Sequence, residues 1–83
     1  RVELYGKEVK LTPTEYDILW LLLKHKGEVF SSEDIYKKLW AEKYYEGNNT
    51  VMSHIWRLRK KIEVNPKKPE IIEIVWGVGY TIE

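Results

Sequence analysis

Residues 50–62 read TVMSHIWRLRKKI, and this stretch decides the fold of the 83-residue chain more than any other. At about 100° per residue its apolar side chains fall in one narrow stripe, which predicts an amphipathic helix packed on a core. The stripe consists of Val51, Ile55, Leu58 and Ile62. Residues 49–61 include four cations and no acid. The sequence therefore predicts a helix with one buried side and one cationic side.

The side opposite the apolar stripe can donate hydrogen bonds to nucleic acid. It carries Asn49, Ser53, Trp56, Arg57 and Lys60, with Thr50 near the start and Arg59 and Lys61 at the flanks. The planar guanidinium of arginine binds guanine or phosphate through two parallel hydrogen bonds. Lysines add less specific attraction to phosphate, and the first-turn N–H groups near Thr50 favour phosphate oxygens. These properties fit a recognition helix in a major groove, whereas charge alone also allows an ordinary solvated basic helix.

Two further helices are predicted upstream, each with a clear start signal. Thr12, Pro13 and Glu15 form a capping box with proline at the first helical position, and this helix is expected to continue to about Lys26. Its centre, residues 18–23, is apolar nearly all round and is expected to be buried. The second helix is expected to begin after Ser31, with Asp34 three residues later in a similar box.

Strand patterns occur at both ends of the chain. Apolar and polar residues alternate across residues 2–11 around Gly6, and residues 71–76 and 80–82 are strand-like on either side of Gly77-Val78-Gly79. The third helix is expected from an Asn48 cap to about Glu63. The predicted fold class is α+β, a winged helix-turn-helix: an N-terminal β-hairpin or partial sheet, three helices and a C-terminal β-hairpin wing. We expect one domain over residues 1–83.

The composition argues against several functional classes. The chain has no cysteine and two widely separated histidines, so we expect no disulfide framework, no metal, no cofactor and no enzymatic activity. The longest apolar run, residues 18–23, is too short to cross a bilayer, and no signal peptide is visible. We therefore expect a cytoplasmic protein without a membrane partner.

Several motifs in this order resemble the winged-helix effector domain of the OmpR/PhoB family of response regulators, and the pattern is nearest to its VanR-like branch. The likeness covers about residues 4–83 and rests on LTPTEY at 11–16, VFS at 29–31, LW at 39–40, TVMSHIWRLRKKI at 50–62 and GVGY at 77–80. In this family the third helix enters the major groove and the closing hairpin is a wing over the adjacent minor groove. The resemblance thus implies sequence-specific DNA binding in transcription control.

Position by position, the resemblance implies a set of DNA-contacting residues. They are Trp40, whose counterpart commonly contacts a phosphate, and Asn49, Thr50, Ser53, His54, Trp56, Arg57 and Arg59. Lys60, Lys61, Trp76 and Gly77 complete the predicted set. Core packing is an alternative or additional role for Trp40, and local packing is an equal alternative for His54. The loop before the third helix matches a segment implicated in touching RNA polymerase, here Glu42, Lys43, Tyr44, Tyr45 and Glu46.

The sequence departs from the family pattern at three places. Trp56 stands where many members have a polar or basic residue, and Trp76 stands where the wing usually carries an arginine. Trp76 is therefore expected either to stack on the sugar–phosphate backbone or to pack on Tyr80. The family has four strands before the first helix, whereas only about two fit into residues 1–11, so some apolar surface is expected to be bare.

The resemblance also implies partners. Family members bind direct repeats of double-stranded DNA as head-to-tail pairs, contact RNA polymerase, and carry a receiver domain before the effector domain. The same fold in a membrane-anchored or stand-alone regulator is an alternative. A protein-interaction module, with Trp56, Trp76 and Tyr45 as a docking patch, is an alternative of another class. DNA binding weakens steeply as salt rises, whereas apolar docking does not.

Overall fold

A computed structural model describes residues 2–4, 6–40 and 50–83 of the chain. The described residues form two antiparallel hairpins and three helices. In chain order these are β1 (Val2–Leu4), β2 (Lys7–Val9), α1 (Pro13–Lys24), α2 (Ser32–Leu39), α3 (Thr50–Ile62), β3 (Glu73–Val75) and β4 (Gly79–Thr81). This is the predicted order of elements, and none of these helices is long and apolar enough to cross a membrane.

Both predicted capping boxes are present. The Thr12 hydroxyl accepts a hydrogen bond from the Glu15 N–H at 3.2 Å, and the Glu15 carboxylate accepts one from the Thr12 N–H at 3.0 Å. Ser31 and Asp34 exchange the same pair of bonds at 3.0 and 3.1 Å. Each box gives a partner to backbone donors that the first helical turn leaves unpaired, a stabilisation of about 1 kcal/mol per cap.

α1 differs from its prediction in length and in burial. It ends at Lys24, because Gly27 then takes a φ of +86° and donates its N–H to the Ile82 carbonyl at 2.8 Å. The expectation that residues 18–23 are buried all round is wrong, since Trp20 is 55% exposed and Leu23 is 38% exposed. α2 and α3 pack against α1, and a domain of this size has too little mass to cover the remaining side.

The core lies between the three helices and the base of the C-terminal hairpin. Every residue of the predicted α3 stripe is buried, with at most 3% of its surface exposed. The stripe meets Ile18 and Leu22 of α1, Ile35 of α2 and Ile72 just before β3. The apolar spacing of α3 therefore predicted its packing correctly. Beside α1, an open groove lined by Val9, Leu11 and Tyr16 leaves apolar surface exposed, as expected.

The C-terminal hairpin, which we call the wing, pairs Glu73 with Thr81 and Val75 with Gly79. β3 starts two residues later than predicted, because the N–H groups of residues 71 and 72 donate to the carboxylate of Glu63, directly after α3, and not to a strand. Phe30 and Tyr80 exchange two backbone hydrogen bonds of 2.8 Å, which join the α1–α2 link to β4. A Cβ on Gly79 would lie 2.1 Å from the Phe30 carbonyl oxygen, so this approach requires glycine.

Candidate nucleic-acid interface

The exposed side of α3 is the predicted cationic side. Arg57 and Lys60 are exposed, Trp56 is 43% exposed, and Thr50, Ser53 and His54 are half-buried. α3 contains no acidic residue. A helix that is buried on one side and positively charged on the other presents hydrogen-bond donors outward with no internal anion to neutralise them.

Trp56 and Lys60 act together on this surface. The Lys60 ammonium lies 5.9 Å from the centre of the Trp56 ring, one helical turn away. A cation over an aromatic face at this distance is attracted by roughly 0.5–1 kcal/mol at an exposed site. The contact orders two long side chains on the outer side of α3.

Trp40 and His54 connect α2 to the first half of α3. Trp40 follows the last turn of α2, and its ring stacks on Tyr36 with centroids 5.2 Å apart and planes 10° apart. The His54 ring lies 5.8 Å from the Trp40 ring at a tilt of 36°. Both side chains are half-buried. The packing role that the sequence left open for both residues is therefore present, and neither residue is fully buried.

Arg59 lies elsewhere than the sequence suggested. It is 7% exposed, and its guanidinium donates a hydrogen bond of 2.8 Å to the Ile72 carbonyl. The guanidinium carbon lies 5.6 Å from the centre of the Tyr80 ring. Burial lowers the pKa of Arg59, opposed by Tyr80 and Glu63, but an arginine remains protonated in proteins. The predicted position at the flank of the cationic side is wrong, because an acceptor 13 residues away draws the guanidinium inward.

Glu63, which the sequence analysis did not single out, completes this attachment. It is 8% exposed, and its two carboxylate oxygens accept hydrogen bonds of 2.9–3.1 Å from the N–H groups of residues 70, 71 and 72. Arg59 and Glu63 lie one turn apart at the end of α3, and together they hold both the carbonyl and the N–H of Ile72. We call these two residues and the backbone of residues 70–72 the wing clamp.

Lys61 also turns away from the cationic side. Its ammonium donates a 2.6 Å hydrogen bond to Glu15 on α1, which is 1% exposed. Burial alone would raise the pKa of Glu15, but the hydrogen bonds from Lys61 and Thr12 and the charge of Lys61 together lower it. The predicted flank position of Lys61 therefore faces α1, and its charge compensates a buried carboxylate.

The tip of the wing is exposed and apolar. Trp76 is 87% exposed, so it is not packed on Tyr80. The Val78 N–H donates to the Val75 carbonyl at 2.9 Å across the turn, and Gly77 there has a φ of +77°, which suits glycine. Asn49 and the predicted polymerase-contacting residues Glu42, Lys43, Tyr44, Tyr45 and Glu46 lie outside the described residues. Among the described residues, no cluster of three metal-ligating side chains occurs.

Comparison with known proteins gives concordant results. The family model described as "Transcriptional regulatory protein, C terminal" matches residues 6–82. Regulatory protein VanRc of Enterococcus gallinarum is 58% identical over 96% of this chain and 35% of its own length. Regulatory protein VanR of Enterococcus faecium is 45% identical over 93% of this chain and 34% of its own length. The chain thus spans about a third of the length of these relatives.

Solved structures agree on the fold. The crystal structure of the Klebsiella pneumoniae RstA DNA-binding domain in complex with the RstA box superposes with a TM-score of 0.86 at 31% identity, covering 95% of this chain and 79% of that chain. Response regulator DrrB of Thermotoga maritima, an OmpR/PhoB homolog, gives a TM-score of 0.83 at 34% identity over 93% of this chain and 35% of that chain.

These likenesses confirm the resemblance, the winged-helix fold class and the prediction of a DNA-binding effector domain. The chain belongs to the family of C-terminal domains of transcriptional regulatory proteins, as a winged-helix DNA-binding effector domain of the OmpR/PhoB type.

Proposed function

We propose that this chain binds double-stranded DNA sequence-specifically, with α3 in the major groove and the wing over the adjacent minor groove. The observation that carries the proposal is the exposed side of α3, where Arg57 and Lys60 lie beside Trp56 on a helix without an acid. An α-helix fits the major groove, which presents a distinct pattern of donors and acceptors for each base pair.

Within this proposal the DNA-facing residues have different roles. Arg57 reads a base edge, Lys60 neutralises a phosphate, and the half-buried Trp40 and His54 offer ring N–H donors to a phosphate. The full set is Trp40, Asn49, Thr50, Ser53, His54, Trp56, Arg57, Lys60, Trp76 and Gly77, of which Asn49 is retained from the sequence alone. Arg59 and Lys61 are assigned to internal attachment, because the cationic group of each is held by an acceptor away from the exposed side.

We propose that the whole protein is a two-component response regulator and that this chain is its output domain. The relatives are about three times as long as this chain, which leaves room for an N-terminal receiver domain. Phosphorylation of that receiver would gate head-to-tail pairing on direct repeats, in the cytoplasm. Residues 42–46 would then touch RNA polymerase. Within such a protein, residues 1–83 form a single domain with no cofactor.

The experiment that tests this proposal is selection of duplexes from a random pool at low and high salt. We expect enrichment of a direct repeat, and an affinity whose logarithm falls by roughly 0.9 per tenfold rise in salt for each phosphate neutralised. On the selected site, Arg57→Ala should cost about 1–3 kcal/mol and relax the preference at one base pair. Lys24→Ala is the matched control, because it removes an exposed cation of α1 and not of α3. It should leave the base-pair preference unchanged.

Two results would contradict the proposal. Absence of enrichment at both salt concentrations would remove sequence-specific recognition from this chain. Binding that survives high salt would favour the protein-interaction alternative, in which exposed Trp56 and Trp76 form the contact surface.

A further inference from the structure

The wing combines an exposed aromatic tip with a lack of positive charge. After Lys68 the chain contains no lysine or arginine, whereas Glu70, Glu73 and Glu83 are acidic. Trp76 is 87% exposed, the largest fraction among the large hydrophobic side chains described, and Val78 next to the turn is 56% exposed. The wing therefore has no lysine or arginine with which to attract phosphate, and its most exposed side chain offers an apolar surface instead.

The wing clamp holds this tip in a defined place relative to α3. Arg59 and Glu63 bond the carbonyl and the N–H of Ile72, and Trp76 follows four residues later along the hairpin. Four extended residues span about 13 Å, at roughly 3.3 Å each. This reach exceeds the half-width of a major groove, which is about 6 Å. The tip is therefore long enough to cross the sugar–phosphate backbone that borders a groove occupied by α3.

We propose that Trp76 is an apolar wedge that inserts from the minor groove between two base pairs, unstacks them in part and bends the duplex. The inference rests on the proposed function and deepens it, because it adds a class of target: a site with a deformable base step under the wing. Apolar side chains that enter the minor groove in this way kink DNA. Pyrimidine–purine steps unstack most easily, so the wedge selects them without a hydrogen bond to any base.

Position and chemistry favour DNA over a protein as the occupant of the tip. The wing clamp attaches the base of the wing to the end of the helix that carries the cationic side, so a duplex on α3 is held next to the wing. The tight turn at Gly77 keeps the tip narrow, and a minor groove is about 6 Å wide. An indole has a large aromatic face on which bases stack with little dependence on sequence. Rigid attachment also reduces the entropy that would be lost when the wedge becomes ordered on DNA.

The test measures affinity and bend on a duplex with a single binding site, with donor and acceptor dyes at its two ends. For Trp76→Ala we expect an affinity loss of roughly 5- to 100-fold, a straighter duplex and an unchanged salt dependence, since indole carries no charge. Trp76→Phe keeps an aromatic face and should restore most of the bend. Trp20→Ala removes another exposed tryptophan, from α1, and should change neither the affinity nor the bend.

A second set of duplexes tests the target class. A TA step is moved one base pair at a time through the sequence flanking the α3 contact, in an otherwise stiff A-tract. For the unsubstituted chain we expect one position of the step at which affinity and bend both rise. For Trp76→Ala we expect the affinity to be independent of the position of the step.

Two outcomes would refute the insertion of Trp76 into DNA without refuting the proposed function. The first is equal affinity and equal bend for the unsubstituted chain and Trp76→Ala. The second is a loss of affinity in Trp76→Ala that occurs only on duplexes carrying two sites, because the tip would then touch a neighbouring protein molecule. A failure of the unsubstituted chain to bind any duplex is a different result, since it would refute the proposed function as well.

Discussion

Replacing Glu63 with glutamine should destabilise the domain strongly although the two side chains have nearly the same shape. The carboxylate uses both oxygens as acceptors for three backbone N–H groups, at 2.9–3.1 Å. A glutamine amide keeps one acceptor oxygen and presents an NH₂ donor in place of the other. The Glu70 N–H bonds to one of the two oxygens and the Ile72 N–H to the other, so in either orientation of the amide one of these N–H groups would face a donor.

The magnitude follows from the bonds that are lost. A hydrogen bond to a charged group contributes about 1.5–3 kcal/mol, and a buried donor without a partner costs about 1–3 kcal/mol. We therefore expect Glu63→Gln to lower the free energy of unfolding by about 2–3 kcal/mol. In a domain of 60–100 residues each kcal/mol shifts the melting temperature by about 4–8 °C, so the melting temperature should fall by roughly 10–20 °C.

Thermal unfolding followed by circular dichroism measures this change. Glu73→Gln makes the same chemical change at an exposed position in β3 and is the matched control, with an expected effect within about 0.5 kcal/mol. A melting temperature for Glu63→Gln equal to that of the Glu73→Gln control would show that the wing is held by packing alone. The account of the wing clamp would then be refuted.

Further predictions separate cations that look equivalent in the sequence. Lys60→Ala should flatten the salt dependence of DNA binding by about one unit, as measured by titration at several salt concentrations, and leave the melting temperature nearly unchanged. Lys61→Ala should do the reverse, with a loss of about 1–2 kcal/mol of stability, because it leaves buried Glu15 without its ammonium partner; a changed salt slope and an unchanged melting temperature would contradict this assignment. Folding lowers the pKa of Glu15. The ionised Glu15 carboxylate therefore stabilises the fold fully at a pH above the ordinary pKa of a glutamic acid, and this stabilisation is lost as the pH falls through the lowered pKa. In Glu15→Gln the free energy of unfolding, measured against pH, should fall less steeply at acidic pH. Gly79→Ala should detach β4 from the α1–α2 link, because the added Cβ would clash with the Phe30 backbone. It should cost more than Gly77→Ala, whose Cβ meets open space and which carries only the strain of a positive φ, about 1–2 kcal/mol. Equal melting temperatures for these two variants would refute the close approach.

Several features of this protein were determined by residues close together in sequence. The capping boxes at Thr12 and Ser31 each involve a residue three positions away, and the stripe on α3 repeats at every third or fourth residue. Such signals depend on the geometry of one or two helical turns, which the sequence displays directly. The order of elements, the buried side of α3 and the family could therefore be read without a structure.

Other features required the tertiary structure. α1 looks buried all round in the sequence, yet Trp20 is exposed, since burial depends on how many elements surround a helix. Arg59, Lys60 and Lys61 are consecutive cations with three different environments. Arg59 is buried and donates to a carbonyl 13 residues away. Lys61 is exposed but donates to a carboxylate 46 residues away, and Lys60 is exposed beside Trp56. Folding alone brings such distant acceptors within hydrogen-bond reach, and buried donors and carboxylates must find partners there. The local pattern of residues makes α3 cationic, whereas the tertiary contacts determine which of its cations are held by acceptors elsewhere in the fold.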